Sequence, residues 1–105
     1  MNLAQQDWSN GLKTDSENAM VLDVRTEDEY NEGFIPGAVN LDIYKGQGFI
    51  YKLEELDKNK QYYVYCRSGA RSQQACSIMN ELGFPNAFNL MGGIMDWQGE
   101  VTNAE

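Results

Sequence analysis

The chain has 105 residues, 42% of them apolar, which is enough for one modest core, so a single domain spanning residues 1–105 is expected. Sixteen acidic against eight basic residues give a net charge of −8, which argues against a nucleic-acid partner, and no apolar run approaches the roughly 20 residues of a membrane span. The absence of histidine and the wide separation of the two cysteines leave no credible metal site or disulfide framework, and no cofactor is expected.

The first residues, Met1 to Asp7, carry neither a basic n-region nor an apolar h-region, so a cytoplasmic protein with reduced thiols is expected. A monomer is expected as well. A helix is predicted around Leu3 to Leu12, followed by a buried strand over Met20 to Val24. Thr26 with Glu29 three residues later forms a capping box, Glu27 and Asp28 complement the helix dipole, and Gly33 ends the helix. Ile35-Pro36-Gly37 turns the chain into a short strand at Ala38 to Leu41. Gly46 and Gly48 mark a loop, and Leu53 to Leu56 reads as one or two helical turns.

Tyr62 to Tyr65 is the next strand, and its tyrosines suit sheet packing better than ligand stacking. Cys66 follows immediately in the run Cys66-Arg67-Ser68-Gly69-Ala70-Arg71-Ser72, before a helix that begins near Arg71 and buries Ala75, Ile78, Met79 and Leu82. Gly83 and Pro85 stop that helix. Ala87 to Leu90 supplies a further strand, Gly92-Gly93 a turn, and Ile94 to Gln98 a short closing helix whose Trp97 packs inward. Strands alternating with helices predict an α/β fold with a mostly parallel sheet of four to five strands covered on both faces, and such sheets carry their sites at the carboxyl ends of strands.

Cys66 lies at such an end. A strand, a tight loop and a helix N-terminus surround its sulfur with unpaired backbone N–H groups and a positive dipole, which favour thiolate over thiol. No acidic residue falls between Asp57 and Glu81, whereas Lys58, Lys60, Arg67 and Arg71 do, half of the basic residues of the chain. A local positive site on an acidic protein suits a small anionic substrate. With no histidine available, activation of the thiol must rest on the loop amides of Arg67 to Arg71, the helix and guanidinium charge. Gly69 permits the curl, one arginine can dock an anion, and the other can tie the loop to the scaffold. Cys76 is read as core packing, Asp23 and Arg25 as a structural pair, and the acid-rich stretch from Asp15 to Glu32 as a solvated face.

The chain resembles the rhodanese-like domains through Leu22-Asp23-Val24-Arg25, Glu29-Tyr30, Gly33 to Asn40, the cysteine loop, and Gly92-Gly93-Ile94 with Trp97. The resemblance covers nearly the whole sequence, and its combination of Asp-x-Arg, Ile-Pro-Gly-Ala and Cys-Arg-x-Gly-x-Arg-Ser in that order is its most specific element. It implies a three-layer α/β/α rhodanese fold and a sulfurtransferase. Cys66 would take sulfane sulfur from a donor such as thiosulfate as a persulfide, with Arg67, Ser68, Gly69, Ala70 and Arg71 binding the donor, and would pass it to a thiol or protein acceptor. Phe34 stands where the family commonly has His, outside the cysteine loop. The loop also differs from the Cys-Gly-Ser/Ala-Gly-Val-Thr type of the mercaptopyruvate enzymes, which favours thiosulfate or a protein persulfide as donor. Two rivals share these features. A cysteine phosphatase or arsenate reductase carries Cys-x5-Arg, one residue longer than Cys66 to Arg71, and a non-catalytic rhodanese-like binding module typically lacks the cysteine.

Overall fold

A computed structural model describes residues 1–103. Its elements in chain order are β1 (Asn2–Leu3), α1 (Gln5–Thr14), β2 (Ala19–Asp23), α2 (Glu27–Glu32), β3 (Val39–Asn40), α3 (Gln47–Glu54), β4 (Gln61–Tyr65), α4 (Ala70–Glu81) and β5 (Ala87–Leu90), with short 3-10 turns between some of them. The five strands form one sheet in the order β1-β5-β4-β2-β3, and every pairing is parallel. Central β4 pairs with β2 from Ala19 opposite Gln61 to Asp23 opposite Tyr65.

Alternation along β4 divides the core into two layers. Tyr62 and Val64 pack with Leu22, with Phe49 and Leu53 of α3, and with Ala75, Cys76 and Met79 of α4. Tyr63 and Tyr65 face the other way, against Trp8 of α1, Val21, Ile35 and Leu90. Trp8 is fully buried, donates from Nε1 to the Phe88 carbonyl at 3.1 Å, and stands edge-on to Tyr63 and Trp97. The three-layer α/β/α arrangement expected from the sequence is present, and burial of each large apolar side chain contributes about 1.5–3 kcal/mol to it.

The capping box is formed: Glu29 N–H donates to Thr26 Oγ1 at 3.2 Å, and Thr26 N–H donates to Glu29 Oε1 at 3.1 Å. At the end of α4, Gly83 takes a positive φ of 96°, its N–H donates to the Asn80 carbonyl, and Phe84 N–H donates to the Met79 carbonyl at 2.9 Å. That pair of bonds is a Schellman closure.

Four expectations change. The N-terminal segment opens with a strand before its helix, because Asn89 and Met91 N–H groups reach the Met1 and Leu3 carbonyls and hold β1 on the sheet edge. Gly48 lies inside α3, which starts at Gln47 and runs well upstream of Leu53 because Phe49 and Leu53, four residues apart, bury the same face. The closing helix is a 3-10 turn at Ile94–Asp96 only, with Trp97 extended and partly buried. The stretch from Asp15 to Glu32 is not uniformly a solvated face: Asp23 is fully buried, Asp15 Oδ2 accepts from Tyr63 Oη at 2.8 Å, and Glu29 is engaged by Arg71.

Candidate active site

Cys66 follows the last residue of β4, and α4 begins at Ala70, so four residues make the loop. Gly69 turns the chain into α4 at φ 102°, a left-handed conformation that glycine adopts without strain. A Cβ there would also sit 3.3 Å from the Gly92 nitrogen and the Leu90 carbonyl oxygen. Beneath the loop, Ile94 N–H donates to the Cys66 carbonyl at 2.9 Å and Met95 N–H to the Arg67 carbonyl at 3.0 Å. Gly93 makes this possible, since any Cβ on it would overlap the carbonyls of Cys66 and Arg67. With its carbonyls drawn toward residues 94 and 95, the loop turns N–H groups toward the sulfur.

Three hydrogen-bond donors converge on Cys66 Sγ: Gly69 N–H at 3.1 Å, Ser72 N–H at 3.4 Å and the Ser72 hydroxyl at 3.3 Å. The residue is fully buried. Burial alone pushes a thiol pKa up and is the largest single influence here, but the Ser72 hydroxyl with the Ser72, Gly69 and Ser68 N–H groups together outweigh it, and the thiol ionises below its ordinary value. Cys76 shows the opposite outcome. Buried in the core without such donors, its thiol is pushed up to about 11. Both cysteines are free.

The other candidate residues separate in space. Arg71 lies at the start of α4 and makes a two-pronged ion pair with Glu29 of α2, Nη1 to Oε1 at 2.7 Å and Nη2 to Oε2 at 2.9 Å. Its guanidinium also stacks over the Tyr44 ring at 5.5 Å. Arg71 therefore ties the loop's helix to the scaffold, while its charge still acts on the Cys66 sulfur. Arg67 and Ser68 are exposed on the loop, Ala70 is exposed at the first position of α4, and Gly69 is buried within the loop. Asp23 and Arg25 form the expected structural pair: Arg25 Nη2 meets Asp23 Oδ2 at 2.5 Å and the Gly33 carbonyl at 2.7 Å, and the Tyr65 hydroxyl donates to the same carboxylate.

Two residues were missed by sequence reasoning. Ser72 ends the recognised motif, but its hydroxyl lies one residue beyond the amides expected to form the cradle. Asn89 reads as a strand residue; it is buried, its Nδ2 donates to the Gly69 carbonyl at 3.2 Å and to Asn2 Oδ1 at 2.9 Å, and its Oδ1 accepts from the Ser72 hydroxyl. The available signal was a polar residue between Ala87 and Leu90 in a strand next to the cysteine strand.

A fully parallel five-stranded sheet that ends its central strand in a cysteine cradled by a loop of backbone donors is the arrangement of a rhodanese-like domain. The chain belongs to that family: the rhodanese-like domain model matches residues 5–100. It is 42% identical to the putative sulfurtransferase YtwF of Bacillus subtilis, over 81% of this chain and 79% of that protein. It is 35% identical to the thiosulfate sulfurtransferase GlpE of Coxiella burnetii, over 75% and 71% of the two chains. A rhodanese-like domain protein from Staphylococcus aureus superposes with a TM-score of 0.83 at 26% identity, covering 99% of this chain and 98% of the other.

Proposed function

We propose that the protein is a sulfurtransferase of the rhodanese family that carries sulfane sulfur on Cys66. The observation that carries this reading is the convergence of Gly69 N–H, Ser72 N–H and the Ser72 hydroxyl on Cys66 Sγ, an arrangement that stabilises negative charge on sulfur without a histidine. Relatives named sulfurtransferase and thiosulfate sulfurtransferase support it.

In the first half-reaction the Cys66 thiolate attacks the outer sulfur of thiosulfate. A sulfur–sulfur bond forms to Cys66, the donor's sulfur–sulfur bond breaks, and its electron pair leaves on sulfite. In the second, a thiolate or another thiophilic acceptor attacks the outer sulfur of the persulfide and returns the electron pair to Cys66 as thiolate. Arg67, exposed on the loop, supplies positive charge for the oxygen end of the donor. Ser68, Gly69 and Ser72 give the backbone cradle, Ala70 lies exposed beside it, and Arg71 adds charge while holding α4 in place. Because Cys66 is fully buried, its surroundings have to open for a donor to reach the sulfur.

Intact-mass spectrometry of the reduced protein after brief thiosulfate treatment tests this. The expected result is a gain of one sulfur atom, lost on addition of cyanide or thiol and absent in Cys66→Ala. No gain from thiosulfate overturns thiosulfate as donor, and hydrolysis of p-nitrophenyl phosphate in its place would favour an anion hydrolase.

A further inference from the structure

The hydrogen bonds around Ser72 ask more of its hydroxyl than one proton can give. Its Oγ is in hydrogen-bond contact with both Cys66 Sγ and Asn89 Oδ1, and a serine hydroxyl has a single hydrogen to donate. The orientation of the Asn89 amide follows from its neighbours. The Gly69 carbonyl can only accept, so the amide atom facing it is Nδ2, and the atom facing Ser72 is Oδ1, itself only an acceptor. Asn2 Oδ1 takes the second Nδ2 hydrogen. The Ser72 proton is thus contested between a carbonyl oxygen on β5 and the nucleophile.

We infer that Asn89 is a positioning residue that sets the protonation of Cys66 by competing with the sulfur for the hydroxyl proton of Ser72. With a thiol, the chain is fully satisfied: S–H donates to Ser72 Oγ, and Ser72 O–H donates to Asn89. With a thiolate, the hydroxyl rotates to donate to Sγ and leaves Asn89 Oδ1 buried without a donor, a cost that the thiol form does not bear. Asn89 thereby holds the ionisation of Cys66 higher than the loop alone would place it, and keeps the sulfur a stronger nucleophile than a more acidic thiol would be.

The charged and titratable groups on the surrounding elements are Arg67 in the loop, Arg71 and Cys76 of α4 with Glu29 of α2, Asp23 and Arg25 at the end of β2, Tyr65 of β4, the Met1 ammonium on the Ala87 carbonyl of β5, and Asp96 beyond β5. None of them is altered in the test. Asn89→Leu removes the competing acceptor while keeping the branching of the side chain, and the Gly69 carbonyl keeps its bond from Gln73 N–H at 3.1 Å. The readout is thiolate absorbance titrated from about pH 4 to about 9, which needs neither a sulfur donor nor access to the buried sulfur. The inference takes Cys66 as the nucleophile of the proposed function, but a failure to load sulfur would leave this titration intact.

Asn89→Leu is expected to lower the Cys66 midpoint, with about tenfold more thiolate relative to thiol on the acid side of the transition. Ser72→Ala is expected to raise it, and the double variant to match Ser72→Ala alone, because Asn89 acts only through Ser72. Folding is read from the continued protection of Cys76 against alkylation. Where leucine disturbs it, Asn89→Val removes the same acceptor with less bulk and must give the same fall. An unchanged or raised midpoint in the folded Asn89 variant, or an additive shift in the double variant, overturns the inference.

Discussion

Arg71 and Glu29, 42 residues apart in sequence, grip each other through two parallel hydrogen bonds of 2.7 and 2.9 Å. The same carboxylate caps α2 through Thr26, so one side chain joins the first turn of α2 to the first turn of α4. The helix that aims Ser72 and its own N–H at Cys66 is thereby anchored from outside the loop.

The Arg71 guanidinium, together with the Thr26 backbone N–H, holds the Glu29 carboxyl down to about 2, against an ordinary value of 4.5. A carboxylate with a depressed folded-state pKa stabilises the fold above its unfolded value and loses that contribution as pH falls through the folded one. Thermal melts of the wild type and Glu29→Gln should therefore differ by about 1 kcal/mol at neutral pH, solvent screening keeping the figure small. The two curves should converge between about pH 4.5 and about 2. A difference independent of pH would show that the ion pair is not its source.

Gly93→Ala should disable the cradle. Its Cβ would overlap the Arg67 and Cys66 carbonyls, on a residue with φ 62°. The loop must move, and the Cys66 midpoint should rise as the donors leave the sulfur, with a stability loss of about 2 kcal/mol or more. Gly37→Ala is the matched control, since Gly37 also has a positive φ of 84° but meets nothing within 4 Å. Urea titration should show a cost of about 1 kcal/mol there, and thiolate absorbance should show no change at Cys66.

Cys76 should make the fold sensitive to alkali. Its folded-state pKa is raised to about 11 by burial, so the stability it contributes is complete below about 9 and is lost as pH rises through about 11. Cys76→Ala should flatten the fall in unfolding free energy read from urea titrations across that window, by about 2 kcal/mol at its upper end. Parallel curves for the two proteins would contradict the assignment.

Asp23→Asn should be among the more damaging single substitutions. It leaves the Arg25 guanidinium buried without its counter-charge beside Tyr65 and the Gly33 carbonyl. A loss of about 3 kcal/mol is expected from denaturant unfolding, with the double replacement of Asp23 and Arg25 by apolar residues less costly than the single one.

Local signals carried much of this architecture into the sequence. Thr26 and Glu29 announce their capping box by spacing, Ala87 to Leu90 is a strand with the predicted ends, and Cys66 is marked by the strand, glycine and arginines around it. What could not be read depends on partners distant in the chain. Two residues, Asn2 and Leu3, are too few to show alternation and become a strand only because β5 offers them an edge. Glu29 shows only its capping role until Arg71 arrives from 42 residues away. Asn89 and Ser72 are ordinary polar residues whose roles follow from the packing of α4 against β5.

The carbonyls that orient the cysteine loop are held by residues 94 and 95, almost thirty positions downstream. During synthesis, Cys66 is therefore added before the turn that supports its loop. A nascent chain carries a thiol with no finished cradle, and a truncation before Gly93 would keep the cysteine yet lack the support that orients its loop. The setting of Cys66 is in this sense finished only when the last strand and its turn dock.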